Sequence, residues 1–352
     1  MKWVNLAAVF SSVLTISVRC AEILDSRGPG TLSQFTYVGS AGHREYTVYT
    51  PSGYSKLGQV PLIVVLHGCT QSSSIILVDS EFNVLAEEEK FIVAYINQTE
   101  ADNYLACWDW WGREDQARGS GEPAIIAGIA RTIQSSTLWN INVDRTYITG
   151  FSAGAGMGLI VGITYPDIFA AIGINSGFEY KSATTFEEMK GQLSTNGKPG
   201  PGPVHQGRVA YQAMGPYARR MPMIVFHGTA DTVVPIMHGR EVVVSMLVAN
   251  CLADPTFKDA HYDTPNSNTS GQVPDGHAYT AASWNDVYGK SVLQYFQVKG
   301  MDHAWSGGAK PNVSGADMFT DPQGPSFTRI SYGFFMANPL TNLKCTDEMC
   351  PL

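Results

Sequence analysis

The residues around position 150 admit few folds. Asn142-Val-Asp-Arg-Thr-Tyr-Ile-Thr149 alternates and is rich in β-branched residues, which predicts a strand. Gly150-Phe-Ser-Ala-Gly154 follows, and Ala155-Gly-Met157 leads into an apolar run to Ile163 that predicts a buried helix. A strand and a helix joined through Gly-x-Ser-x-Gly meet in a sharp turn. Side chains at Gly150 and Gly154 would collide with the strand and the helix, and Ser152 has to take a strained backbone conformation. Such a turn lifts the Ser152 hydroxyl clear of the sheet. It also leaves the Ala153 N–H at a helix N-terminus, aimed where an oxyanion would develop. The competing reading is a glycine-rich turn whose serine only caps the helix.

The rest of the chain repeats this alternation. Pro61–Leu66, Phe91–Ile96, Ile168–Ile174 and Pro222–His227 are apolar runs, as expected of strands buried on both faces, and Ser291–Lys299 is the last clear strand. Between and after them Ser80–Lys90, Gly121–Ser135, Gly239–Ala249 and Phe327–Met336 read as helices, the second with Ile125, Ile129 and Ile133 at helical spacing. Gln34–Val38 and Arg44–Thr50 alternate like an antiparallel pair. The pattern predicts an α/β fold with a mostly parallel central sheet and helices on both faces. A single catalytic domain over residues 21–340 accommodates it, with 178–220 and 253–289 as surface insertions and 341–352 as a tail.

Met1–Cys20 has a basic start at Lys2, an apolar core from Leu6 to Val18 and Val18-Arg19-Cys20 as a cleavage site before Ala21, the pattern of a secretory signal peptide. Its apolar run is too short to span a membrane comfortably. Asn97, Asn268 and Asn312 begin Asn-x-Ser/Thr sequons, which matter in a glycosylating eukaryote. A net charge of −8 argues against nucleic acid or an anionic membrane as partner. After cleavage Cys69, Cys107, Cys251, Cys345 and Cys350 remain, and in an oxidising compartment most of them should pair. No Cys/His spacing suits a metal, so neither metal nor cofactor is expected.

Asp231 and His303 each follow a predicted strand, so each belongs to a loop at the sheet's carboxyl edge, near Ser152. Ser, then Asp, then His is the chain order of an α/β-hydrolase triad. In it Ser152 attacks a carbonyl, His303 takes its proton, and Asp231 orients and stabilises the imidazolium. Asp302 competes with Asp231 by sequence proximity, but neighbours on a strand exit point apart. His67-Gly68-Cys69 ends an early strand, where the Cys69 N–H is a candidate second oxyanion donor beside Ala153. Cys69 as nucleophile is the weaker alternative, since the serine already has its partners.

Four segments resemble the secreted polyhydroxybutyrate depolymerases, a group allied to feruloyl and acetylxylan esterases. They are Pro61-Leu-Ile-Val-Val-Leu-His-Gly-Cys-Thr-Gln71, Gly150-Phe-Ser-Ala-Gly-Ala-Gly-Met157, His227-Gly-Thr-Ala-Asp231 and Gly300-Met-Asp-His-Ala-Trp-Ser-Gly-Gly308. The resemblance implies a serine esterase acting on an ester-bearing polymer or oligomer, with catalytic Ser152, Asp231 and His303 and with Cys69 in the oxyanion loop. It also implies that Cys107, in Cys107-Trp-Asp-Trp-Trp111, pairs beside that loop, hence Cys69 with Cys107, leaving Cys251 for Cys345 or Cys350. Bacterial polymer-degrading members carry a linker and a separate binding domain. Residues after 310 are too few for one, so docking would fall to the catalytic domain itself, expected to be a monomer. Trp305, two residues past the base, and Trp108 are the expected substrate-binding aromatics; core packing is the alternative for either.

Overall fold

The structure is a computed structural model that describes residues 19–20, 28–103, 105–257, 260–310 and 318–340. Its strands are β1 (Arg19–Cys20), β2 (Thr31–Gly39), β3 (Gly42–Thr50), β4 (Val60–Leu66), β5 (Ile92–Ile96), β6 (Ile141–Phe151), β7 (Ile172–Asn175), β8 (Met223–Gly228), β9 (Ser267–Gln272), β10 (Ala278–Asn285), β11 (Ser291–Val298), β12 (Trp305–Ser306) and β13 (Thr320–Asp321). The helices are α1 (Ser73–Ser80), α2 (Phe82–Glu89), α3 (Gly121–Ser135), α4 (Ala153–Thr164), α5 (Phe186–Gln192), α6 (Pro203–Met214), α7 (Ile236–Ala253) and α8 (Phe327–Ala337).

β4 explains why the sheet lies at the centre. All of its residues are buried, and alternate side chains enter opposite cores: Leu62, Val64 and Leu66 pack with Ile129 of α3 and Leu159 of α4, whereas Ile63 and Val65 pack with Phe82 of α2 and Phe335 of α8. The sheet runs β1-β2-β3-β5-β4-β6-β7-β8-β11-β10-β9. Its middle, from β5 through β4, β6, β7 and β8 to β11, is parallel, so the loops after these strands gather at one edge. The α/β expectation holds, with antiparallel strands added on both flanks.

The structure refines four local expectations. The helix expected over Ser80–Lys90 is α2, shorter at its start because α1 ends at Ser80 and the chain breaks at Glu81, whose φ is 56°. The carbonyls of Asp79 and Ser80 accept from Ala309 N and Thr328 Oγ1, so tertiary partners replace the helical ladder there. The strand expected from Ile168 starts only at Ile172, because the Ile168 and Phe169 amides close a turn onto Tyr165 O. The polar stretch 253–289 is no loose excursion: it holds β9 and β10, which extend the sheet beyond β11. An edge strand needs backbone partners more than apolar side chains, so β9 gives no alternating signal. The 178–220 segment, expected as a surface insertion, contains α5 and α6, the latter with Pro203 in its first turn.

The signal-peptide reading of Met1–Cys20 lies outside the described residues except for Arg19–Cys20, and so do Asn312, Cys345 and Cys350. Asn268 is exposed on β9. Asn97 is half-buried and its Oδ1 accepts the Ser73 N–H at 2.9 Å.

Candidate active site

The turn between β6 and α4 has the strain that its sequence demands. Ser152 sits at φ 55°, ψ −119°. A Cβ on Gly150 would lie 2.4 Å from the Gly154 carbonyl, and one on Gly154 would lie 2.4 Å from His67 O. Only glycine permits that approach. The bend is held by backbone bonds: Ser152 N–H donates to Asn175 O, and Ser152 O accepts from Ala155 and Gly156, each at 3.0 Å.

The loops after β8 and β11 bring acid and base together. His303 Nδ1 is 2.8 Å from Asp231 Oδ2. Asp231 Oδ1 accepts the Val233 and Val234 N–H groups at 3.0 and 2.7 Å. Burial pushes the Asp231 carboxyl up, but hydrogen bonds from His227 and His303 outweigh it and hold the group well below the usual carboxylate range. A carboxylate only accepts, so Nδ1 carries a proton, and in the neutral tautomer this selects, Nε2 keeps its lone pair. The ring packs 4.6 Å from that of Phe151, the residue before the serine. Asp302 is not the imidazole's partner: its Oδ1 accepts from Thr232 N, Thr232 Oγ1 and His303 N, which ties the base loop to the acid loop.

The Cys69 loop is braced from several sides. Gly68 N–H donates to Gln71 Oε1 at 2.9 Å, and Thr70 N–H to Leu105 O at 2.7 Å. A disulfide joins Cys69 to Cys107, as the resemblance implied. Among the described residues the amides of Cys69 and Ala153 donate to no protein acceptor, so both are available to an incoming oxyanion. Cys345 and Cys350, the partners expected for Cys251, lie outside the described residues.

Behind this loop lies a network that the sequence did not announce. His67 is fully buried, with Nδ1 2.7 Å from Gly68 O and Nε2 accepting Gln98 N–H at 2.9 Å. Gln98 also donates from Nε2 to Cys107 O and to Glu122. Glu122, in the first turn of α3, is buried; desolvation and the nearby Asp115 and Asp109 carboxylates push it up to about 8. Burial lowers His67 to about 4. Its unfolded value is about 6.5, so its contribution to stability is complete above that pH and is lost as pH falls towards 4. We expect a melting series to decline across that window in the parent protein. In the non-titrating His67→Asn variant the curve should start lower and decline less; parallel curves would refute the assignment.

The expected aromatic contacts are corrected by burial. Trp305 is wholly inaccessible: its ring meets Phe327 and Phe82 edge-on at 4.9 and 6.1 Å, and its Nε1 donates to Thr328 Oγ1 at 3.1 Å. The chain bends at His303–Ala304, which breaks the period-two relation between positions 303 and 305 and turns the indole into the core. Trp108 is also fully buried, 5.7 Å from His67. The aromatic that does flank the base is half-buried Phe319, edge-on to His303 at 6.0 Å and 6.2 Å from Phe151. Nothing in its own sequence neighbourhood marks it; a backbone bond from Trp305 N to Phe319 O brings it there.

A mostly parallel sheet with an elbow serine, and with an acid and a histidine in the loops after later strands, is the architecture of an α/β-hydrolase. The sequence profile of the family described as Esterase PHB depolymerase matches residues 44–266, and the chain belongs to that family. It is 30% identical over 283 residues to Poly(3-hydroxyalkanoate) depolymerase C of Paucimonas lemoignei, covering 78% of this chain and 59% of that protein. Acetylxylan esterase A of Emericella nidulans is 29% identical over 234 residues, covering 62% of this chain and 73% of its own length. The solved acetyl xylan esterase from Aspergillus awamori superposes with a TM-score of 0.66 at 20% identity, over 88% of this chain and all of that one, a likeness of fold.

Proposed function

We propose that the chain is a secreted serine esterase that cleaves the ester bonds of a poly(3-hydroxybutyrate)-type polyester or its oligomers. The observation that carries the chemistry is the Asp231–His303 pair, whose imidazole packs against Phe151 beside the strained Ser152. In this reading Ser152 Oγ attacks the ester carbonyl while His303 Nε2 takes its proton, and the Cys69 and Ala153 amides receive the oxyanion. The alcohol leaves with the proton held by His303. Water then enters by the same route, the acid is released and Ser152 is regenerated. Asp231, held as a carboxylate, keeps the imidazole in the required tautomer throughout.

Support for an apolar polymer comes from the catalytic edge itself. Leu105 and Val233 are exposed on the loops that follow β5 and β8, Phe186 at the start of α5, and Met318 between β12 and β13. Secretion is supported by the Met1–Cys20 pattern together with the Cys69–Cys107 disulfide. A second reading, an esterase of acetylated or feruloylated plant polysaccharide, is favoured by the greater share of Acetylxylan esterase A that the chain spans. Purified enzyme assayed on 3-hydroxybutyrate oligomers, polymer film, acetylated xylan and methyl ferulate separates them. We expect the highest kcat/KM on the hydroxybutyrate oligomers; a preference for acetylated xylan or methyl ferulate would replace the polyester reading with the second.

A further inference from the structure

The base has a long way to travel. Ser152 follows β6 and His303 follows β11, with β7 and β8 between them, so the imidazole must reach back across two strands, each step about 4.8 Å wide. The acid loop after β8 secures half of that path. Ala230 N–H donates to Met301 O, Thr229 Oγ1 accepts from Gly300, and Asp302 holds Thr232. These bonds fix the base loop to the acid. They do not fix it to the nucleophile.

That connection runs through Asn175, the last residue of β7, which is fully buried and pairs with Phe151 in the β6–β7 register. Its carbonyl accepts the Ser152 N–H at 3.0 Å. Its Nδ2 donates to Ala304 O, the carbonyl next after the base, at 2.9 Å. Ala304 O only accepts, so the amide nitrogen must face it. Among the described residues this is the one hydrogen bond that joins the segment Gly300–Trp305 to β6 or β7. A single side chain therefore ties the peptide beside the base to the strand that holds the nucleophile's amide.

We propose that Asn175 is a positioning residue that sets the separation between His303 Nε2 and Ser152 Oγ. The inference rests on the Ser152–His303 reading above. Its effect should fall on proton transfer and leave substrate affinity alone, because Asn175 is buried beneath both groups. A misplacement of about 1 Å in a catalytic pair is enough to cost on the order of 100-fold.

The test uses Asn175→Ala and the volume-matched Asn175→Leu, with active sites counted by fluorophosphonate titration so that only competent protein enters the rate. On p-nitrophenyl acetate both variants should lose about 10- to 100-fold in kcat with KM within about twofold, and the labelling rate should fall in parallel because phosphonylation uses the same base. Asn175→Leu retains the packing, so it answers if Asn175→Ala does not fold. Either variant showing wild-type kcat per titrated site, with only a lower melting temperature, would overturn the proposal and leave Asn175 a fold residue. Failure of the parent protein to be labelled at Ser152 would instead remove the reading beneath it.

Discussion

Ser152→Ala should lower turnover of a short p-nitrophenyl ester by about 10⁴-fold or more while leaving the melting curve close to that of the parent. In the proposed reaction the hydroxyl is the atom that forms the new bond, and the nearby Ser176, which follows β7, is fully buried. Removing the hydroxyl costs the fold little. The elbow is held by the backbone bonds of residue 152 and not by its side chain, and alanine suffers the same positive φ as serine. His303→Ala should do nearly as much damage, and the double variant scarcely more, because groups that act as a unit lose their effect together. A Ser152→Ala protein that kept more than about a hundredth of parental turnover would need another nucleophile.

Trp305→Ala should behave in the opposite way, as a stability variant with an intact site. The indole is enclosed by Phe82 and Phe327 and its N–H donates to Thr328, so truncation opens a cavity and leaves the buried Thr328 hydroxyl without that donor. Large-to-small changes of this kind cost about 3–5 kcal/mol. With an unfolding entropy of about 2.1 cal/mol/K per residue, a chain of 352 residues loses about 1.4 °C per kcal/mol, so the melting temperature should fall by about 4–7 °C. KM for the fraction that remains folded should be unchanged. A melting temperature within about 2 °C of the parent, with a raised KM, would return Trp305 to the substrate cleft.

The two predictions mark where a linear sequence is informative. The elbow is legible because its steric demand is confined to Gly150–Gly154, and the α3 boundaries are legible because Ile125, Ile129 and Ile133 repeat at helical spacing. Asp231 and His303 are legible because each follows a strand that carries its own apolar pattern. Trp305 misleads because a bend of two residues redirects it, and such a bend leaves no periodic trace. β9 and β10 escape notice because their place in the sheet is fixed by backbone ladders. Asn175 and Phe319 escape for a different reason: each matters through an approach between strands or loops far apart in the chain, to Ala304 in one case and to His303 in the other.

Covalent trapping tests the central claim, that Ser152 is the nucleophile served by His303 and Asp231. The parent protein is inactivated with a fluorophosphonate, digested and sequenced by tandem mass spectrometry. One adduct per chain should be found, on Ser152 within Gly150-Phe-Ser-Ala-Gly154, with activity lost in proportion to its appearance and no adduct on Ser152→Ala. An active enzyme that took no label at Ser152, or that was inactivated by label on another residue, would contradict the account.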